Sequence, residues 1–171
     1  MAFTYVTYKL NPSSVPSGVG GANLAQIAAN GFDDWQIGAN NQVQFTRGSD
    51  TATSRQAGDG QNIIAWGRTS GSALAVTYIR YNTLTGVVVD VDTIFNKSFN
   101  WRWSNQANCA YSGSYDAENI MTHELGHWLG LEDVYAVGNT ENTMYGFGSP
   151  QEVKKNTLTT GDINSVFAAY N

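Results

Sequence analysis

The chain has 171 residues, of which 42% are apolar and 13% charged, with a net charge of −5. That balance excludes a disordered chain, and the lack of any basic cluster excludes the electrostatic footprint of a nucleic-acid binder. No apolar run reaches the roughly 20 residues a membrane-spanning helix needs, so neither nucleic acid nor membrane is an expected partner. At this length one domain, residues 1–171, with its own core is expected. Met1 leads directly into the strand-like AFTYVTYKL with no leader-like run, which leaves two settings open: a cytosolic protein, or the mature part of an exported one. The single cysteine, Cys109, excludes an internal disulfide and a cysteine-built zinc site, and reads as a packed thiol.

Strands come first and helices later. FTYVTYKL alternates as a half-buried strand does, and GGANLAQIAANGFDDWQI places Leu24, Ile27, Ala28 and Trp35 on one helical stripe. VQFT, NIIAWG and ALAVTYI read as short strands. NTLTG is a turn, and VVVDVDTIFN beyond it reads as a strand pairing with ALAVTYI. Residues 99–113, rich in Trp, Asn and Ser, read as an irregular loop. A helix is expected to start near Ser114, with Asp116 and Glu118 at the positive end of its dipole, and to stop at Gly130. The last element, TTGDINSVFAAY, suggests a helix capped by Thr160 with Ile163, Val166, Phe167 and Tyr170 on one face. No repeat or linker interrupts the order, and the fold class read from it is α+β.

Both histidines of the chain fall in MTHELGHWLGLEDVY, residues 121–135. His123 and His127 stand one helical turn apart, separated by about 40° around the axis, so their imidazoles can hold one metal ion. Glu124 is turned about 100° away from His123; it is poorly placed as a ligand but well placed to take a proton from a water beside the metal. A catalytic zinc needs a third protein ligand and keeps a fourth position open. Gly130 can adopt a positive φ, end the helix and turn the chain back, which makes Asp133 the candidate third ligand. Glu132 is its nearest competitor, at the wrong spacing for that turn. A thermolysin-like site would instead draw its third ligand from farther along, from Glu141 or Glu152, and a non-catalytic zinc-binding domain is a further alternative.

The string HExxHxxGxxD resembles the metzincin zinc endopeptidases, in the minority form shared with the snapalysins. Met144 in ENTMYG, eleven residues past Asp133, matches the methionine turn beneath the metal in that group. Over most of its length the chain is similar to the matrixins: a first strand, a long helix with a tryptophan, further strands, and a closing Leu-x-x-x-Asp-Ile helix. LAVT, residues 74–77, and DTIFN, residues 92–96, resemble two matrixin strands, but Val76 and Ile94 stand where that family has histidines. The family's second, structural zinc therefore has no histidine ligands here. For calcium, Asp90 and Asp92 are the candidate oxygen ligands, against a competing reading as solvated acids.

The resemblance implies a twisted mixed sheet with a long N-terminal helix, an active-site helix and a C-terminal helix. It implies a zinc-dependent endopeptidase with Glu124 as general base, working as a secreted, monomeric mature domain on protein or peptide substrates. Asp133 in place of a third histidine adds negative charge and should make the zinc a somewhat weaker Lewis acid. It also implies that ALAVTYI pairs with substrate along an exposed edge, and that the residue after the cut sits in a pocket bounded by Ile120, Leu74, Ala75, Tyr145 and Phe147. Gly146 replaces the usual proline two residues after the methionine, so that wall is expected to differ in shape.

Overall fold

Alternation in the first strand, β1 (Thr4–Leu10), turns Val6, Tyr8 and Leu10 to one face, where Tyr8 and Leu10 are buried. The computed structural model describes residues 4–69, 71–105 and 111–171, so Cys109 lies outside the described residues. Four more strands join β1: β2 (Val43–Arg47), β3 (Asn62–Gly67), β4 (Ala75–Tyr81) and β5 (Val88–Asn96). Their order is β2-β1-β3-β5-β4, parallel throughout except that β4 runs antiparallel to β5 at the edge. The pairing of β5 with β4 was expected from sequence. Its parallel pairing with β3, from Ile63↔Asp92 to Gly67↔Asn96, makes β5 an interior strand. That explains why β3 and residues 90–96 of β5 are buried almost without alternation.

The helical stripe expected after β1 forms α1 (Leu24–Gly38), with Leu24, Ile27, Ala28 and Trp35 fully buried. It packs on α2 (Ala117–Trp128), and Trp35 Nε1 donates to the Thr122 carbonyl at 2.7 Å. The architecture is therefore α+β, and among the described residues it comprises a mixed five-stranded sheet with three α-helices. Among the described residues no helix is long and apolar enough to cross a membrane.

Three local expectations need correction. The 99–113 segment is not wholly irregular, because β6 (Trp101–Arg102) pairs in parallel with β7 (Tyr115–Asp116). Helix α2 starts at Ala117 rather than near Ser114 and is capped by Asp116, whose carboxylate accepts from Glu118 N and Asn119 N, both at 3.0 Å, while the Ser114 hydroxyl is taken by Asn100 Nδ2. The last helix, α3 (Thr160–Tyr170), is capped by Thr159 in a reciprocal capping box with Asp162, so Thr160 lies inside it. Along α3 only Val166 of the expected stripe is buried, seated against Gly38 of α1. Ile163 and Phe167 stay 41% and 48% exposed, because a terminal helix leaning on one neighbour has a narrow contact strip. Tyr170 reaches back, its hydroxyl donating to the Leu129 carbonyl at 3.1 Å.

Candidate metal centre

Helix α2 ends as Gly130 requires. With φ at +78°, Gly130 donates to the His127 carbonyl, and Leu131 donates to the Gly126 carbonyl at 3.2 Å. This paired closure is the Schellman arrangement, and it needs a residue with no penalty for positive φ. The chain then doubles back, so that Val134 bridges to Tyr145 in parallel and donates to the Met144 carbonyl at 2.9 Å.

That return brings Asp133 to the two histidines. Asp133 Oδ1 lies 3.1 Å from His123 Nε2 and 3.6 Å from His127 Nε2, with the rings 5.1 Å apart and nearly perpendicular. Among the described residues, His123, His127 and Asp133 form the group able to hold a metal ion. Each imidazole spends its other nitrogen on a backbone carbonyl, His123 Nδ1 on Thr143 and His127 Nδ1 on Leu131, both at 2.7 Å. A carbonyl oxygen can only accept, so both Nδ1 atoms carry a proton, and in the neutral imidazole each Nε2 then presents a lone pair. The Tyr135 hydroxyl donates to Asp133 Oδ2 at 3.0 Å and fixes which oxygen turns to the histidines.

Met144 is buried below this group, against the helix at Gly126. Its turn is tied down by Asp162 of α3, whose carboxylate accepts from Thr143 N at 2.9 Å and Met144 N at 3.1 Å. Asp162 thus connects the last helix to the carbonyl that orients His123. The Asp-Ile pair was visible in sequence, but nothing local to it signalled this link. The carbonyls of Thr143 and Leu131 were equally unreadable, since any residue type can supply one.

The alternatives for the third ligand are not brought to the histidines. Glu141 is exposed and paired with Lys154 at 3.2 Å, and Glu152 accepts from Asn119 Nδ2. Glu132 lines the cleft but is exposed and outside the ligand group. Glu124 is buried, and its Oε2 accepts from Thr77 Oγ1 of β4 at 2.6 Å. All four carboxylate oxygens of Asp90 and Asp92 already take donors: the amides of Gly60, Ile63 and Ala57, and the Arg80 guanidinium at 2.5 and 3.4 Å.

The group opens into a cleft of about 940 Å³, toward the upper end for ligand sites, which Leu74, Ala75, Ile120 and Phe147 help to line. Tyr145 does not line it, contrary to expectation. The Tyr145 carbonyl instead accepts, with that of Phe147, from the buried Lys155 Nζ. Lys155, which also lines the cleft, braces the wall from behind, and burial pushes its ammonium pKa down.

The mixed sheet, the helix bearing both histidines and the methionine turn beneath them define a metal-dependent peptidase of the metzincin class. A sequence model of the matrixins matches residues 2–171, and the chain belongs to that family. Membership brings zinc-dependent metalloendopeptidase activity. A search of curated proteins finds no match.

The site fits the zinc that the family implies. Among the described residues, Asp133 Oδ1 is buried with no hydrogen-bond partner, an arrangement that is costly unless a cation completes it. Two imidazole nitrogens and one carboxylate oxygen are also a donor set that suits zinc.

Proposed function

We propose that this chain cuts peptide bonds with His123, His127 and Asp133 holding one zinc ion and Glu124 serving as general base. The observation that carries the reading is Asp133 Oδ1, buried and without a hydrogen-bond partner among the described residues, 3.1 Å and 3.6 Å from the Nε2 atoms of two imidazoles whose Nδ1 atoms are bonded to backbone carbonyls. Zinc, when bound, supplies a Lewis acid that acidifies a water and polarises the scissile carbonyl. Glu124 takes the water's proton and returns it to the leaving amine. Its Oε2 is engaged by Thr77, while Oε1 has no partner among the described residues and is the oxygen available for that transfer. The free edge of β4 offers backbone groups to an extended peptide, which would add to the sheet as one more strand. Ile120 and Phe147 favour an apolar side chain after the cut.

The test is direct. The purified protein should carry about one zinc per chain and cleave casein until 1,10-phenanthroline is added. Glu124→Ala should keep the metal and lose turnover, because the residue handles a proton and not the ion. Full activity in metal-free protein would overturn the reading.

A further inference from the structure

Glu124 and Trp128 are one turn apart on α2 and face the same way. They meet Thr77 of β4 and Thr93 of β5, which are directly opposite each other in the antiparallel ladder. The four side chains form a continuous hydrogen-bonded run. Trp128 Nε1 lies 2.8 Å from Thr93 Oγ1, Thr93 Oγ1 lies 2.8 Å from Thr77 Oγ1, and Thr77 Oγ1 lies 2.6 Å from Glu124 Oε2.

Chemistry fixes the direction of this run. An indole N–H can only donate and a carboxylate can only accept, so Thr77 gives its single proton to Glu124 and Thr93, which accepts from Trp128, gives its own to Thr77. Each hydroxyl accepts one bond and donates the next, so the bonds polarise one another toward Glu124. Thr93 is fully buried, and Trp128 and Glu124 nearly so, while Thr77 is partly buried at the cleft wall. Sequence alone offered no sign of it: the comparison with matrixin strands drew attention to Val76 and Ile94, and Thr77 and Thr93 are their immediate neighbours.

We propose that Thr77, oriented by Thr93 and Trp128, is a positioning residue that locks the Glu124 carboxylate through Oε2 and leaves Oε1 as the single oxygen for proton transfer. The inference rests on Glu124 being the general base. Thr77 also belongs to the edge strand offered to substrate, so the same residue ties the base to the peptide's docking edge. Without that bond the carboxylate can rotate, and a small misplacement of a catalytic group costs rate more than binding.

The experiment measures kcat and KM on a fluorogenic peptide, with zinc content and Tm, for Thr77→Val, Thr77→Ser, Thr93→Val, the Thr77→Val/Thr93→Val double variant and Glu124→Gln. Thr77→Val keeps shape and removes the hydroxyl. It should lower kcat by about tenfold or more, with KM and zinc content unchanged, and Thr77→Ser should restore kcat to within about twofold. Thr93→Val should cost a smaller factor, and the double variant should be no slower than Thr77→Val, because Thr93 acts only through Thr77. Unchanged kcat in Thr77→Val beside an inactive Glu124→Gln would overturn the positioning role and leave the base assignment standing. An active Glu124→Gln would instead remove the base assignment, and the inference with it. A folded Thr77→Ser as slow as Thr77→Val, or rate losses that multiply in the double variant, would also overturn it.

Discussion

Met144 Sδ occupies the space beside Gly126 so closely that a Cβ at residue 126 would lie 2.2 Å from the sulfur, and 2.7 Å from Trp35 Cζ2. Glycine between the two histidines is thus what lets the methionine turn rise against the helix. Gly126→Ala should move the sulfur, although the rigid indole behind it cannot yield as readily. The expected cost is about 1–3 kcal/mol of stability, together with weaker zinc binding, read by thermal melts and by titration against a chromophoric chelator. A variant with wild-type Tm and zinc affinity would show that the contact is slack.

Removing the carboxylate of Asp133 should leave two imidazoles and solvent around the metal. Asp133→Ala should weaken zinc binding by about two orders of magnitude or more and abolish cleavage. Glu132→Ala and Glu141→Ala should leave zinc content unchanged, since neither side chain joins the ligand group. An empty site in Glu141→Ala, with metal retained in Asp133→Ala, would reverse the assignment.

Asp162 serves three amides, those of Thr143, Met144 and Thr159, with one carboxylate. Asp162→Ala strands these donors in a buried region, and hydrogen bonds to charged groups are worth about 1.5–3 kcal/mol each. The expected result is a large drop in Tm, with zinc affinity falling as the Thr143 carbonyl loses its place behind His123. Glu152→Ala, whose carboxylate takes none of the turn's amides, serves as the control and should shift Tm far less.

Asp34 on α1 is raised to about 6, first by burial and then by the negative charges of Glu118 and Asp33. Its folded value exceeds its unfolded one, so the native state binds the proton more tightly. Stability from this residue therefore falls as pH rises from about 4 to about 6, and the full penalty is present above that. Asp34→Asn should raise Tm at pH 7.5 and change it little at pH 4. Melts across that range would expose the opposite sign if Asp34 were instead held ionised by an unrecognised partner.

What could be read from the order of residues alone was what is local in the chain. The spacing of His123 and His127, the stop at Gly130 and the stripe from Leu24 to Trp35 follow from helix geometry and from glycine's tolerance of positive φ, which operate within a few residues. Asp133 was legible as the carboxylate at the spacing that turn requires, three residues past Gly130. The fold decided what depends on distant partners. β5 became an interior strand only by pairing with β3, and Ile163 and Phe167 stayed half exposed because α3 lays only a thin apolar strip, around Val166, against α1. Backbone carbonyls at Thr143 and Leu131, the Asp162 link and the run from Trp128 through Thr93 and Thr77 to Glu124 join segments up to dozens of residues apart. A hydroxyl or a carbonyl has no signature of its own in a sequence; it acquires a role only when tertiary packing brings one specific acceptor or donor within 3 Å of it.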